Sequence, residues 1–343
     1  MSTTKHANDR VVRDDGRPRN VKAIRVHRYG GPEELVLEDV EIGLPGPGEV
    51  RIRNRAVGLN FVDSYFRSGE YRAPSLPFIP GNEGAGEVVA VGEGVTEFAI
   101  GDRVAYVETL GSYAEERIVP VHFVVRLPAS IDFETGAAMM LKGLTAQYLL
   151  RRTFRAQPGH TILVHAAAGG VGLLLTQWAK LLGATVIGTV GSPTKAKLAQ
   201  QYGCDHVILY REEDFAVRVK EITGGTGCDV VYDGVGKATF PGSLDCLRPF
   251  GYFVSFGSAS GAIEPFDIML LMQKGSLFAT WQLLFAHLAK REDVLAMSAE
   301  LFDVVASGAV KIPIHARIPL ADAAAAHRRL EARETTGATV LLP

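Results

Sequence analysis

The sequence predicts an α/β protein in two parts: a doubly wound parallel six-stranded sheet in the second half, and a β-rich, barrel-like domain ahead of it. Three observations carry this. Six short apolar runs, at 161–165, 185–190, 206–209, 229–232, 252–256 and 276–281, alternate with helical stretches, the clearest at 193–202, 212–222 and 240–247, and strands joined by right-handed helical crossovers make a parallel sheet. Ahead of them the texture is short strands and many glycines. Where the two textures meet, an apolar strand passes through a turn with almost no side chains into a helix.

Taken in order, residues 1–20 are polar, of mixed charge and without an apolar stretch, which argues against a signal peptide or an amphipathic transit helix and for a disordered tail. In 21–141, Val50 and Ile52 alternate with Arg51 and Arg53, 86–91 gives another strand and 103–106 a third, each bounded by Gly, Pro or Asp. Alternation of this kind marks strands, and the bounding residues mark turns.

The strand at 161–165 then leads through Ala166-Ala167-Ala168-Gly169-Gly170-Val171-Gly172 into a helix whose apolar positions Leu174, Leu175, Trp178, Ala179 and Leu182 follow helical spacing. A bare turn lets backbone N–H groups approach a pyrophosphate at the positive end of a helix, the device of dinucleotide-binding (Rossmann) folds. Ala167-x-Gly169-x-x-Gly172 matches that fingerprint with alanine at its first position, so Ala167, Gly169, Gly170, Val171 and Gly172 are candidate diphosphate contacts. The next strand decides which nucleotide. An NAD site ends that strand with an acid for the ribose 2′-hydroxyl. Here the turn is Gly191-Ser192-Pro193-Thr194-Lys195, without an acid. Gly191 leaves room, Ser192 can donate a hydrogen bond, and Lys195 brings a positive charge to a 2′-phosphate, so the turn favours NADPH over NADH. His165, at the strand end, reads as a histidine bonded to backbone, with no chemistry assigned. After 281, helices are expected at 292–307 and 320–332 and a last strand at 338–342; a six-stranded sheet is complete by Trp281, so this tail is expected to return to the β-rich domain.

The chain has 343 residues, 47% of them hydrophobic, with 36 basic and 38 acidic side chains. That is ample for two packed domains, and the net charge of −2 without a basic stripe argues against nucleic acid or an anionic membrane as a partner. Three cysteines, Cys204, Cys228 and Cys246, lie far apart with no C-x-x-C pair, as expected of reduced thiols in a cytoplasmic protein. No repeat and no transmembrane span is visible. The apolar stretch 277–289 suits either the wall of a substrate pocket or, with 276–281 at a sheet edge, pairing with a second subunit; a homodimer through that edge is the expectation.

These residues carry a family likeness. Gly81-Asn82-Glu83-Gly84-Ala85-Gly86, Gly101-Asp102-Arg103-Val104 and the glycine turn at 166–172, with Gly58-Leu59-Asn60-Phe61-Val62-Asp63, Lys142-Gly143-Leu144-Thr145, Tyr232-Asp233-Gly234-Val235-Gly236 and Ser255-Phe256-Gly257, resemble the medium-chain dehydrogenase/reductase superfamily, and within it the zinc-independent quinone oxidoreductases, the zeta-crystallin-like branch. The likeness runs over 21–343. It implies a GroES-like catalytic domain over 21–141 and 284–343, and an NADPH-binding Rossmann domain over 142–283. Zinc members carry a cysteine where Asn60 falls and a histidine where Asn82 falls. An amide cannot replace a thiolate or imidazole on zinc, and Glu83 alone cannot hold the metal, so the expectation is a metal-free enzyme.

The resemblance implies zinc-free hydride transfer from the nicotinamide C4 of NADPH to a quinone. It places Lys142 and Thr145 near the nicotinamide and its ribose, and Asn60 and Tyr65 facing the acceptor with Tyr71 behind. Tyr210 would lie by the adenine and 2′-phosphate with Gly191 and Lys195, Arg333 would come from the C-terminal segment, and Phe256 and Gly257 would pass the nicotinamide half. From local sequence alone Asn60 reads equally as a turn residue, Tyr65 and Tyr71 as packing aromatics, Phe256 as core and Arg333 as a solvated cation. Two rivals stand beside this reading: an NADPH-dependent reductase of α,β-unsaturated aldehydes or ketones, and an NADPH-binding structural or RNA-binding protein without turnover.

Overall fold

The computed structural model describes residues 18–343. The tail expected at 1–20 falls mostly outside them, and its last two residues, Arg19 and Asn20, already belong to the first strand. β1 (Arg19–Arg25) and β2 (Val36–Ile42) form an antiparallel pair. β3 (Glu49–Leu59) leads straight into α1 (Phe61–Ser68), which ends at Gly69 in the left-handed region, φ 85°. β4 (Glu83–Val91), β5 (Arg103–Val107), β6 (Glu116–Pro120) and β7 (Val124–Arg126) follow. α2 (Phe133–Tyr148) starts on Asp132, whose carboxylate accepts from Thr135 N at 2.7 Å, satisfying one of the orphan N–H groups of a helix start.

From there the chain alternates: β8 (Thr161–Val164), α3 (Gly170–Leu181), β9 (Thr185–Val190), α4 (Pro193–Gln201), β10 (His206–Leu209), α5 (Phe215–Ile222), β11 (Cys228–Asp233), α6 (Gly242–Asp245), β12 (Leu247–Ser255), α7 (Met269–Gln273) and β13 (Phe278–Trp281). Two expected helices are shorter than their patterns. The 212–222 stretch becomes helical only at Phe215, because the Asp214 side chain accepts from Ala216 N and Val217 N and so fixes the start. The 240–247 stretch keeps one turn, because Leu247 already begins β12.

The six strands lie in the order β10-β9-β8-β11-β12-β13, all parallel. The order reverses between β8 and β11, and ligand crevices open at the carboxyl ends of strands at such a reversal. α8 (Leu284–His287), α9 (Arg291–Ala306), β14 (Ile314–Pro319), α10 (Ala323–Glu331) and β15 (Ala338–Leu342) complete the chain. β15 pairs antiparallel with β3 and joins a second sheet ordered β14-β15-β3-β4-β5-β7, with β6 on β3. The helix α2, buried along nearly its whole length, packs into one core shared with residues of both sheets. It therefore ties the two layers together and fixes the cleft between them.

Candidate active site

At the end of β8 the backbone turns out of the sheet at Ala166, which adopts φ 53°, a left-handed conformation that costs a non-glycine residue about 1–2 kcal/mol. The sharp turn is made there rather than at Ala167, which explains why alanine serves at the fingerprint's first position. Ala167 is fully buried, donates its N–H to Thr189 O at 3.1 Å, and faces Gly188 so closely that a Cβ on Gly188 would lie 2.7 Å from its own Cβ. Gly172 serves close packing as well: a Cβ there would stand 2.4 Å from Ala166 O and 2.8 Å from Ala167 Cα. Gly169, Gly170 and Val171, at the start of α3, line the cleft, where unpaired helix-start N–H groups and the helix dipole favour an anion.

The end of β9 forms a cationic corner. Ser192 caps α4, its Oγ accepting from Lys195 N at 3.4 Å, which leaves the hydroxyl proton to donate. Lys195 Nζ donates to the backbone carbonyl of Arg333 at 2.7 Å. Gly191, Ser192, Lys195, Tyr210, Arg211 and Arg333 line one hollow. Burial lowers the Lys195 pKa, and Arg211 and Arg333 lower it further. Cations crowded together in this way, without a carboxylate among the hollow's lining residues, create a demand for an anion. A Cβ on Gly191 would meet Tyr210 Oη at 2.7 Å. Arg211 escaped the sequence reading; its signal was adjacency to Tyr210 at the end of the third strand of this sheet.

The same cleft extends to residues of the other layer. Asn60, at the start of α1, and Lys142, on α2, both line it and both are almost fully buried. Asn60 N donates to Asp63 Oδ2 at 2.8 Å and Asn60 Nδ2 to Glu83 Oε1 at 2.7 Å. Asn82 Nδ2 donates to Asp63 Oδ1 at 2.5 Å. Thus the amides at the two positions where zinc enzymes carry metal ligands point their donors at carboxylates. This donor set does not fit a zinc ion.

Behind the cleft, Arg67 Nη1 donates to His327 Nδ1 at 3.1 Å, His327 Nε2 contacts Tyr113 Oη at 3.1 Å, and Tyr113 donates to Asp63 Oδ2 at 2.8 Å. Arg67 also pairs with Glu331. An arginine can only donate, so the direction of the chain makes His327 the neutral Nε2–H tautomer. Burial, then the Arg67 charge, holds its pKa down to about 3. Burial pushes Asp63 up to about 6 against the hydrogen bonds that favour its ionised form.

Other expected site residues stand one layer back from the cleft. Tyr65 is buried between the rings of Phe61 and Tyr71, at 5.6 and 5.2 Å, and its Oη accepts from Ser258 N at 3.0 Å, bridging α1 to the loop after β12. Burial raises the pKa of Tyr65, and of the half-buried Tyr71. Thr145 turns back on its own helix, Oγ1 donating to Leu141 O at 2.7 Å. Phe256 packs on the shared core and over Gly234, where a Cβ would lie 2.9 Å from its ring, and Gly257 abuts the Gly234 backbone. His165 lines the cleft but differs from expectation in its partners: Nδ1 meets Thr189 Oγ1 at 2.9 Å and Nε2 meets Ser243 Oγ at 3.0 Å, both side chains rather than backbone. On the far wall, Arg333 was expected from the C-terminal segment, but its neighbours Thr335, Gly337 and Thr339 were not. Gly337 N donates to Ala168 O at 3.1 Å, laying the segment before β15 across the glycine turn, so that Thr335, Gly337 and Thr339 line the cleft.

A parallel nucleotide-binding sheet facing a β-rich layer, with an anion cradle at one end of the cleft and buried polar groups at the other, defines a medium-chain dehydrogenase/reductase. Residues 46–129 match the model of the alcohol dehydrogenase GroES-like domain, and residues 170–290 that of the zinc-binding dehydrogenase. A quinone oxidoreductase of Pseudomonas aeruginosa is 54% identical over 94% of this chain and 99% of its own. A 2-haloacrylate reductase of a Burkholderia species is 45% identical over 94% and 99%. The crystal structure of the Escherichia coli quinone oxidoreductase complexed with NADPH superimposes with a TM-score of 0.92 at 46% identity, covering 94% of this chain and all of that one. The chain belongs to the quinone oxidoreductase family.

Proposed function

We propose that this chain is an NADPH-dependent quinone reductase that works without a metal. The carrying observation is the cleft that runs from the Asn60 and Lys142 donors to Lys195 and Arg333, where it adjoins the cationic hollow those two share with Arg211. The fit to the cofactor rests on the helix start and glycine turn for the diphosphate, and on that hollow, with no acid at the end of β9, for a 2′-phosphate. When bound, NADPH supplies the hydride. The residues of the chain bind and orient: Ser192, Lys195, Arg211 and Tyr210 hold the adenosine end, while Gly169 to Val171 hold the diphosphate. Lys142 and Asn60 offer N–H donors to an acceptor oxygen as it gains charge. A quinone asks little more, because its reduced anion is delocalised over the ring, so positioning in a dry cleft does most of the work.

The 2-haloacrylate reductase relative supports a second reading, in which a conjugated carbon–carbon double bond accepts the hydride. That reaction needs a proton at the adjacent carbon, and Tyr65 is a candidate donor from the layer behind the cleft, since its hydroxyl accepts from Ser258 N and keeps its own proton. NADPH oxidation with phenanthrenequinone, a para-quinone and an enone separates the readings. Quinone turnover is expected to dominate, and Tyr65→Phe is expected to leave it within about threefold while cutting any enone reduction by roughly 10- to 100-fold. Faster turnover of the enone than of either quinone would reverse the assignment.

We further propose a homodimer. β13 is an edge strand with an unpaired side, and Phe278 and Trp281 on it are about half exposed, 51% and 47%. A bare apolar edge of this kind invites pairing. Light scattering is expected to give twice the chain mass, and Trp281→Lys to halve it; a monomeric wild type removes the proposal. Among the described residues no helix is long and apolar enough to cross a membrane. The three cysteines are buried and free, which supports a reducing, cytoplasmic setting.

A further inference from the structure

Glu83 is the hub of the acceptor end of the cleft. It is fully buried. Its Oε1 accepts from Asn60 Nδ2 at 2.7 Å and from Lys142 Nζ at 2.7 Å, and its Oε2 accepts from the backbone N–H of Leu141 at 2.7 Å. One carboxylate thereby joins the end of β3, the start of β4 and the middle of α2. The backbone on both flanks makes room for this pair. A Cβ on Gly58 would lie 2.2 Å from Glu83 Oε1, and one on Gly170 would lie 2.8 Å from Cδ of Lys142. Either substitution would push the carboxylate or the ammonium out of place.

We infer that Glu83 is a positioning residue for hydride transfer, holding the Lys142 ammonium and the Asn60 amide together at the acceptor end of the cleft. The inference rests on the reductase reading of this site. A buried ammonium without a counter-charge is costly and floats free of any one position; tied to Glu83 it is both neutralised and fixed. The donor count leaves capacity for substrate. An ammonium has three N–H donors and a carboxamide two, and each group uses one on Glu83, so both retain donors for an acceptor oxygen. The backbone of Asn60 is anchored separately, on Asp63, so its amide is fixed from two sides. Before reaction the Glu83–Lys142 pair carries no net charge. The arrangement is therefore matched to a neutral carbonyl acceptor that becomes an oxyanion, and the ammonium meets that charge without having to be brought in from solvent.

The test is chemical rescue. Lys142→Ala is expected to lose about 100-fold or more in kcat with para-benzoquinone, and added ethylammonium is expected to restore part of it saturably, because the cation settles on Glu83. The double variant Lys142→Ala/Glu83→Gln is expected to show no saturable rescue. Glu83→Gln alone is expected to lower kcat about 30- to 100-fold while the Kd for NADPH, read by cofactor fluorescence, stays within about threefold. Glu83→Asp keeps the charge on a shorter arm and carries the same kcat-against-Kd comparison if the glutamine variant does not fold. Equal rescue with and without Glu83, or wild-type kcat in folded Glu83→Gln or Glu83→Asp, overturns the inference. A wild-type enzyme that binds NADPH and reduces no quinone or enone would instead sink the reductase reading itself, so the two failures are told apart before any variant is made.

Discussion

Removing Lys195 and Arg211 together, as the double alanine variant, is expected to weaken NADPH binding by roughly 100-fold or more while NADH changes by less than about threefold. Each charge-assisted hydrogen bond to a phosphate contributes about 1.5–3 kcal/mol, and both side chains border the hollow at the end of β9. The single variants are expected to fall short of half the loss each, because Arg211 and Arg333 already repel Lys195, so deleting one cation relieves the others. Fluorescence titration with both nucleotides decides it. A parallel loss for NADH would mean that these side chains hold the fold of the hollow and not the extra phosphate.

The second large effect concerns acid stability. His327, with its pKa held down to about 3, stays neutral in the native protein while the unfolded chain takes up a proton below about pH 6.5. Its contribution is therefore complete above that pH and drains away as pH falls. Asp63, pushed up to about 6, works in the opposite sense: the native state binds a proton that the unfolded state, titrating near 3.8, does not, so its contribution grows as pH falls through that window. Between about pH 4 and 6 the two proton counts cancel, one released and one bound. Each single variant should break the cancellation. Relative to wild type, Asp63→Asn is expected to lose stability on acidification from pH 6 to 4, and His327→Gln to gain it, each by about one proton, or ~1.4 kcal/mol per pH unit. Urea unfolding at pH 4, 5 and 6 measures the slopes, and two variants sloping in the same direction would refute this account. Asp63→Asn should also carry a pH-independent penalty of about 1–3 kcal/mol, because an amide would turn a donor toward Tyr113, Asn82 or the Asn60 N–H.

The parts of this molecule that follow local rules were legible in the sequence. Thr185–Val190, His206–Leu209 and Ala338–Leu342 form strands at the expected bounds, because apolar runs between turn residues leave few alternatives. The glycine turn and the missing acid after β9 were legible for the same reason: both are local signals with a direct chemical meaning. What escaped notice is non-local. Glu83 reads as one acid in a glycine-rich strand, and only the convergence of β3, β4 and α2 makes it a hub. Thr335 to Thr339 lie more than 160 residues from the turn they cover. The hydroxyl of Tyr65 finds its partner on a loop 193 residues away, which no spacing rule anticipates.

The bond from Gly337 N to Ala168 O, together with the pairing of β15 on β3, has a bearing on how the protein matures during synthesis. All six strands of the nucleotide sheet leave the ribosome well before the segment that roofs the diphosphate turn. A nascent chain stalled before that segment emerges has the elbow but not its cover, so the wall of the cofactor cleft is complete only once residues 335–339 have docked.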